Sequence, residues 1–352
     1  MNKLNPDLIS LVCRMPAEWE SHEATWVSWP HNEDHWPEGL DELRTIYTQI
    51  IGELIHAEKV NVLVQDKETI RNIENKFVSE GFKMEKVSLH EVPTRDIWIR
   101  DYGPTFVGQQ AGWETQLAAV RWIFNAWGGK YEDLLGDDSV PEQLTRILNV
   151  PTLNPGIILE GGSIDVNGQG FCLTTQQCLL NPNRNKGLKK EQIESVLAKF
   201  LGVKKVQWLD EGLSGDDTDG HVDNIARLVG SHTIIAAVEP NRRNENYAVL
   251  DHNLKSLRRA SDSDGNKFQI VPLVMPDPIT DGEGRSLPAT YVNFYIANDV
   301  VLIPVFGQKK DREAISVLKS VFPEKRIVGI PCSVLVQGMG ALHCMTQQQP
   351  QV

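Results

Sequence analysis

Apolar residues recur along this chain with two periods. Short β-rich runs, Val60–Val64, Thr105–Val107, Phe171–Thr175, Thr233–Val238, Val300–Val305 and Ile327–Ile330, alternate with stretches whose apolar positions return at helical spacing. In Leu40–Ala57, residues Leu43, Ile46, Tyr47, Ile50, Ile51 and Leu54 share one helical face, and Lys67–Glu80, Lys189–Leu201 and Lys310–Phe322 follow suit. Strands alternating with helices predict an α/β protein. Several strand runs return at intervals of roughly 60 to 70 residues, which points to repeated supersecondary units. The Gly/Pro/Asp-rich stretch Met275–Pro288 predicts a long surface loop, either a binding loop or simply a mobile one.

The chain has 352 residues, 41% hydrophobic and 23% charged, an ordinary balance for a soluble globular protein with a large core. Length alone would permit two domains, but no low-complexity linker divides the chain. Its longest apolar runs, such as Val300–Pro304, are far too short to cross a bilayer. The opening MNKLNPDLISLVCRMPAEWE lacks a secretory signal pattern, so a cytoplasmic location is expected. Cys13, Cys172, Cys178, Cys332 and Cys344 form no CxxC pair and are odd in number, which fits reduced thiols better than disulfides or a zinc ribbon. The net charge of −12, without any Lys/Arg block, argues against a nucleic-acid partner. It serves solubility, or draws a cationic substrate to a cleft.

Five segments carry polar groups where a plain core would not. In GMGALHCMTQQQP, Gly338–Pro350, flexible backbone offers the thiol of Cys344, a candidate nucleophile. Its neighbour His343 would point to the opposite face of an extended strand, so a remote histidine is needed. In GDDTDGHVDNIARLV, Gly215–Val229, His221 and Asp223 would share one face of a strand. The crowded acids Asp216, Asp217, Asp219 and Asp223 call for a cation, organic or metal, and an HxD pair also suits a metal. In PTRDIWIRDYGPTF, Pro93–Phe106, Asp96, Trp98 and Arg100 would line one strand face, with Asp101 at its broken end; a structural Arg–Asp pair explains them equally well. In ILEGGSIDVNGQG, Ile158–Gly170, Glu160 precedes two glycines that leave room for a ligand, and Asn167-Gly168 suits a hairpin turn. FNAWGGKY, Phe124–Tyr131, permits an unusual turn and reads as structural. Cys178, among apolar neighbours, reads as a buried structural thiol. A thiol with paired acids suits attack on a planar cationic carbon, because two carboxylates can grip a guanidinium. No GxxxxGK[ST] or GxGxxG phosphate loop stands in the chain.

These segments resemble those of the agmatine deiminases, within the Porphyromonas-type peptidylarginine deiminase family of guanidino-group-modifying enzymes. MPAEWESHEATWVSWP, DIWIRDYGPTF, FNAWGG, LEGGSIDVNG, LLNPNRN, TDGHVDNIAR and HCMTQQQP occur in the family's order over nearly the whole chain. The resemblance implies a five-bladed α/β propeller (pentein) of pseudo-symmetric ββαβ units, forming a single catalytic domain over residues 1–352. It implies Cys344 as nucleophile, His221 as general acid and base, Asp101 and Asp223 as guanidinium ligands, Glu160 as their support and Trp98 as a wall of the site. It further implies hydrolysis of agmatine to N-carbamoylputrescine and ammonia without metal or cofactor, and a homodimer. Peptidylarginine deimination and a metal-dependent hydrolase stand as alternatives. The chain departs from the agmatine deiminase pattern GGGNIHC in its GMGALHC, where Met339 replaces a glycine and Ala341 an asparagine.

Overall fold

The computed structural model describes residues 12–37 and 39–352; the start of the chain, on which the absence of a signal pattern was argued, lies largely outside the described residues. The described strands form five separate sheets, and one order recurs in all of them. Two strands pair antiparallel, a helix follows, and a third strand returns parallel to the second. In one sheet Ile164–Val166 pairs antiparallel with Phe171–Thr175, helix Lys190–Leu201 crosses over, and Lys205–Leu209 lies parallel to Phe171–Thr175. The same order runs through Ala226–Gly230, Thr233–Val238, helix Tyr247–Arg259 and Gln269–Val274. It runs again through Tyr295–Ile296, Val300–Val305, helix Lys310–Val321 and Arg326–Pro331. Thr105–Ala111, Glu114–Val120, helix Val140–Leu148 and Thr152–Leu153 repeat it with Cys13–Arg14 added at the edge. The parallel step needs a crossover, and the helix is that crossover.

The fifth sheet joins the two ends of the chain. Gln347–Pro350 pairs antiparallel with His22–Ser28, Gln347 opposite Trp26, and Lys59–Val64 and Val87–Glu91 continue it in parallel. Helix Leu40–Leu54 forms its crossover. Leu40, Leu43, Ile46, Tyr47, Ile50, Ile51 and Leu54 are its buried stripe, so the helical period sets which face meets the core. Helix Lys190–Leu201 buries Ile193, Leu197 and Phe200 and stops at Gly202, whose φ of +73° and close approach to the Cys13 carbonyl suit glycine.

The predicted strands and helices stand where the periodicity put them; the runs at Phe171, Thr233 and Val300 are second strands of their sheets, matching the recurrence, while the run at Thr105 is a first strand, followed by its second at Glu114. Asn167-Gly168 does turn a hairpin, with Asn167 Oδ1 accepting from the backbone N–H groups of Gln169 and Phe171. Residues 275–288 lack a regular element apart from the Thr280–Ser286 bridge.

Two local expectations fail. Asp96, Trp98 and Arg100 do not lie on a strand; the chain bends there and Ile99–Tyr102 forms a helical turn, closed by the Gly103 N–H on the Ile99 carbonyl. His221 and Asp223 do not share a strand face either. Asp219 and Gly220, at φ of +62° and +84°, turn the backbone out of the extended region, and His221 caps the 3₁₀ turn Val222–Asn224. In both places alternation in the sequence came from a turn that ends just before a strand. None of the described helices is long and apolar enough to cross a membrane.

Candidate active site

Each sheet contributes a polar residue from the same place in its order. Asp101, Glu160, Asp223, Asn293 and Cys344 lie on the short segments leading into the strands that begin at Thr105, Ile164, Ala226, Tyr295 and Gln347. None is more than 5% exposed. Gly162 marks where they converge: a Cβ there would stand 2.6 Å from Nδ1 of His221, 2.9 Å from Oδ2 of Asp223 and 3.0 Å from Oδ1 of Asp101. The room left by this glycine is occupied by the site's own groups.

The thiol of Cys344 sits 3.8 Å from Oδ2 of Asp223, and Nδ2 of Asn293 approaches its sulfur at 3.2 Å. Burial first, then the charges of Asp223 and Asp101, push the thiol well above its ordinary range, against hydrogen bonds from the Ala341 backbone and Asn293. Asp101 accepts from Nε1 of Trp127 at 2.9 Å and from the Gly162 N–H at 3.0 Å. Burial pushes its carboxyl up to about 6; His221 and Trp127 oppose the shift, and Asp223 and Glu160 add to it.

His221 is fully buried, with Nδ1 3.7 Å from Asp101 and Nε2 3.8 Å from Glu160. These are ion-pair distances, and neither nitrogen has a hydrogen-bond partner. Burial works against charging the ring, but Asp101, Cys178 and Glu160 outweigh it and hold the imidazolium well above the usual histidine range. Glu160 is buried, which opposes its charge, yet His221 and Arg184, the latter at 2.6 Å, keep its carboxyl below the usual range.

His343 and Cys344 lie in a turn and not on the extended strand expected of them, and His343 is not idle. Its Nδ1 meets Oδ2 of Asp223 at 2.7 Å and its Nε2 meets Oε2 of Glu18 at 2.8 Å. Against the cost of burial, His343 holds Asp223 below the usual range. Glu18 is anchored in turn by Arg227 at 2.8 Å.

A cavity of about 180 Å³ opens over Cys344 and Asp101. Trp36, Trp98, Trp127 and Met339 wall it, and Asp96 and Asp217 also line it. Glu160, His221 and Asp223 are fully buried and do not line it. His221 and Asp223 do not join one set of possible metal ligands; among the described residues that set is Glu160, Cys178 and His221. A thiol flanked by two carboxylates and backed by an imidazolium can bind a planar cation and attack its central carbon.

Comparison with known proteins agrees with this geometry. The model of the Porphyromonas-type peptidyl-arginine deiminase family matches residues 14–350. The chain belongs to that family. Agmatine deiminase of Medicago truncatula is 37% identical to it, over 96% of this chain and 96% of its own. The solved agmatine deiminase of Enterococcus faecalis superposes with a TM-score of 0.87 at 31% identity, covering 96% of each chain. A Cys-to-Ser variant of C. jejuni agmatine deiminase with substrate bound gives 0.87 at 30% identity, over 100% of this chain and 99% of its own. As a Porphyromonas-type deiminase, the chain is an enzyme acting on guanidino carbon–nitrogen bonds.

Of the two departures from the agmatine deiminase pattern, Met339 falls on the cavity wall. Met339 has φ of +71°, a left-handed conformation that costs a residue with a Cβ about 1–2 kcal/mol. Gly338 and Gly340 beside it admit no side chain, because a Cβ would meet Trp36 at 2.3 Å and Trp98 at 2.5 Å. Ala341 is buried nearby. Asn293 and Glu18 were absent from the candidates read in the sequence. The signal for Asn293 was an amide inside the apolar run Tyr291–Ile296, which demands a buried partner. Trp127, read as part of a structural turn, also reaches Asp101; the turn carries positive φ at Ala126, Trp127, Gly128 and Gly129.

Proposed function

We propose that this chain is a cytoplasmic agmatine deiminase, hydrolysing agmatine to N-carbamoylputrescine and ammonia on the way to putrescine. One observation carries the choice of substrate. The described lining of the cavity contains Asp96, Asp101 and Asp217 and no lysine or arginine. Agmatine is cationic at both ends and suits such a cavity throughout. The lining cation is His35, held up at about 9 and already paired with Asp96 and Asp133, so free arginine would set its carboxylate among these acids with no uncommitted cation to meet it. The volume of about 180 Å³ suits a small molecule better than a peptide.

In the proposed mechanism Asp101 and Asp223 hold the guanidinium, supported by Glu160, while Trp98 walls the site. The bound cation offsets the carboxylates that keep the Cys344 thiol protonated, so the thiol releases its proton to solvent. The thiolate forms an S–C bond to the guanidinium carbon. His221 donates a proton to one nitrogen, the C–N bond breaks, and ammonia leaves. A cationic thiouronium remains on Cys344. His221 then takes a proton from water as its oxygen bonds to the same carbon. The C–S bond breaks, the ureido product loses a proton to the departing thiolate, and the enzyme is restored. Side chains and the attacking water supply every proton and electron pair, so the scheme calls on no metal or organic cofactor.

The proposal extends to the architecture. We read the five sheets as the blades of a pseudo-symmetric propeller, one catalytic domain over residues 1–352, with the site on its axis. The repeated strand–strand–helix–strand order, and the polar residue that each sheet contributes, support this. A homodimer is the expected assembly, readable by sedimentation.

Side-by-side turnover of agmatine, free arginine and a blocked arginyl peptide, followed as ureido product, tests the substrate. Agmatine should be the best of the three by kcat/KM. Equal or faster turnover of the peptide would overturn the choice. Cys344→Ala should lose agmatine turnover by several orders of magnitude, as enzymes do without their nucleophile; a variant near wild-type activity would sink the mechanism.

A further inference from the structure

Behind His221 lies a thiol that the proposed chemistry does not use. Cys178 is fully buried, and its Sγ is 4.0 Å from Oε2 of Glu160. Nε2 of His221 lies 3.8 Å from the same oxygen. The three donor atoms all stand within 4.8 Å of one another, and both His221 nitrogens lack a hydrogen-bond partner. Arg184 engages the other oxygen of Glu160, and its charge is shared with Asp219 at 2.8 Å. Oε2 is therefore able to turn toward a new partner. Thiolate, imidazole and carboxylate together form a borderline-soft donor set, which suits zinc. Tetrahedral zinc bonds of about 2.0–2.3 Å put donors about 3.3–3.8 Å apart, so this set is nearly at ligand spacing already.

We propose that Glu160, Cys178 and His221 form a binding site for a thiophilic divalent cation of the zinc class, whose occupancy inhibits the enzyme by capturing His221. The inhibitory half rests on the catalytic role proposed for His221. Charge balances across the exchange. Before binding, imidazolium, carboxylate and thiol sum to zero. The ion displaces one proton from His221 and one from Cys178 and brings two positive charges, so the sum stays at zero. The sealed interior gains no net charge, which removes the main obstacle to burying a metal ion. All three donors are 0% exposed, so entry requires local opening, and inhibition should develop with time after mixing.

Cobalt(II) is a suitable probe, because a thiolate bound to it gives a near-ultraviolet charge-transfer band. The band should appear in the wild type and in Cys344→Ala and vanish in Cys178→Ser. Zinc should slow agmatine turnover, and Cys178→Ser should need at least about tenfold more zinc to lose half of its own activity. A band that follows Cys344, no band in either protein, or equal zinc sensitivity of Cys178→Ser would overturn the proposal. Should Cys178→Ser fail to fold, His221→Asn in the Cys344→Ala background serves instead. It should keep the thiolate band while binding cobalt at least about tenfold more weakly, and unchanged affinity would count against the site. Failure of agmatine as a substrate, with the Cys178-dependent band intact, would sink the functional reading and leave the ion site standing.

Discussion

Asp101 and Asp223 flank the same thiol, yet they are held in opposite ways. Asp101 accepts its hydrogen bonds from neutral donors, the Trp127 indole and the Gly162 amide, with the His221 ring standing off at 3.7 Å, and its carboxyl is pushed up to about 6. Asp223 is met by His343, which is itself tied to Glu18, and Glu18 to Arg227. Burial opposes the charge of Glu18 as well, but Arg227 and His343 hold it well below the usual carboxylate range. Both aspartates are buried, Asp101 at the cavity and Asp223 behind it, and they differ most in their partners. Dipoles recover part of the cost of burying an anion; a chain of alternating charges recovers more. One arm of the proposed guanidinium grip is a fixed anion, and the other is close to titrating.

Exchanging the arms for amides is the strongest way to break this comparison. At pH 8, Asp101→Asn and Asp223→Asn should each lower kcat/KM for agmatine by roughly 10²–10³-fold, the scale for losing a buried charged contact to a cation. Below pH 6 the two should diverge. Wild-type Asp101 is then largely protonated, so Asp101→Asn costs progressively less relative to wild type, while the deficit of Asp223→Asn persists. Ratios that run parallel with pH would show that the arms are electrostatically alike.

His343→Gln comes next in size. The amide can still donate to Asp223 but cannot carry charge between two carboxylates. The carboxyl of Asp223 should rise, and kcat/KM should fall by roughly 10- to 100-fold, mostly through KM. The loss should deepen as pH falls, because Asp223 would then protonate in the working range. A loss of equal size at every pH would reduce His343 to packing.

Much of this site was legible in the sequence, and the illegible parts share a cause. Helix faces and central strands were readable because a helix must bury one stripe and a strand one side. Cys344, His221, Glu160, Asp101 and Asp223 stood out as polar groups beside apolar runs and glycines. Choosing Asp101 over Asp96 required the family resemblance; local pattern treated them alike. The pairing of Gln347–Pro350 with His22–Ser28 could not be read, because no local signal links strands at opposite ends of a chain. The struts were missed for the same reason. Glu18, Asn293 and His343 matter through contacts made across sheets, and His343, set aside as a base for its neighbour, carried no local sign of its two carboxylate partners. Met339 was flagged by its departure from the family pattern, but its left-handed backbone became visible only in the fold.

Trp127→Phe should give the smallest effect and isolates the neutral arm. The ring packs edge-on against Phe124 at 5.1 Å and Tyr131 at 5.7 Å between centroids, and phenylalanine can keep much of that packing. What disappears is the indole N–H that favours the charged form of Asp101. The sign follows directly: without a donor to the carboxylate, the carboxyl moves up from about 6. Since the protonated acid cannot grip a cation, the acid limb of kcat/KM should shift to higher pH by up to about one unit. At pH 8, where Asp101 stays ionised in both proteins, the loss should be only about 3- to 10-fold, the scale of one hydrogen bond to a charged group. An acid limb that does not move would mean that the Gly162 amide and the His221 charge set Asp101 without the indole. The contrast with Asp223 would then rest on that amide and that ring instead of on Trp127.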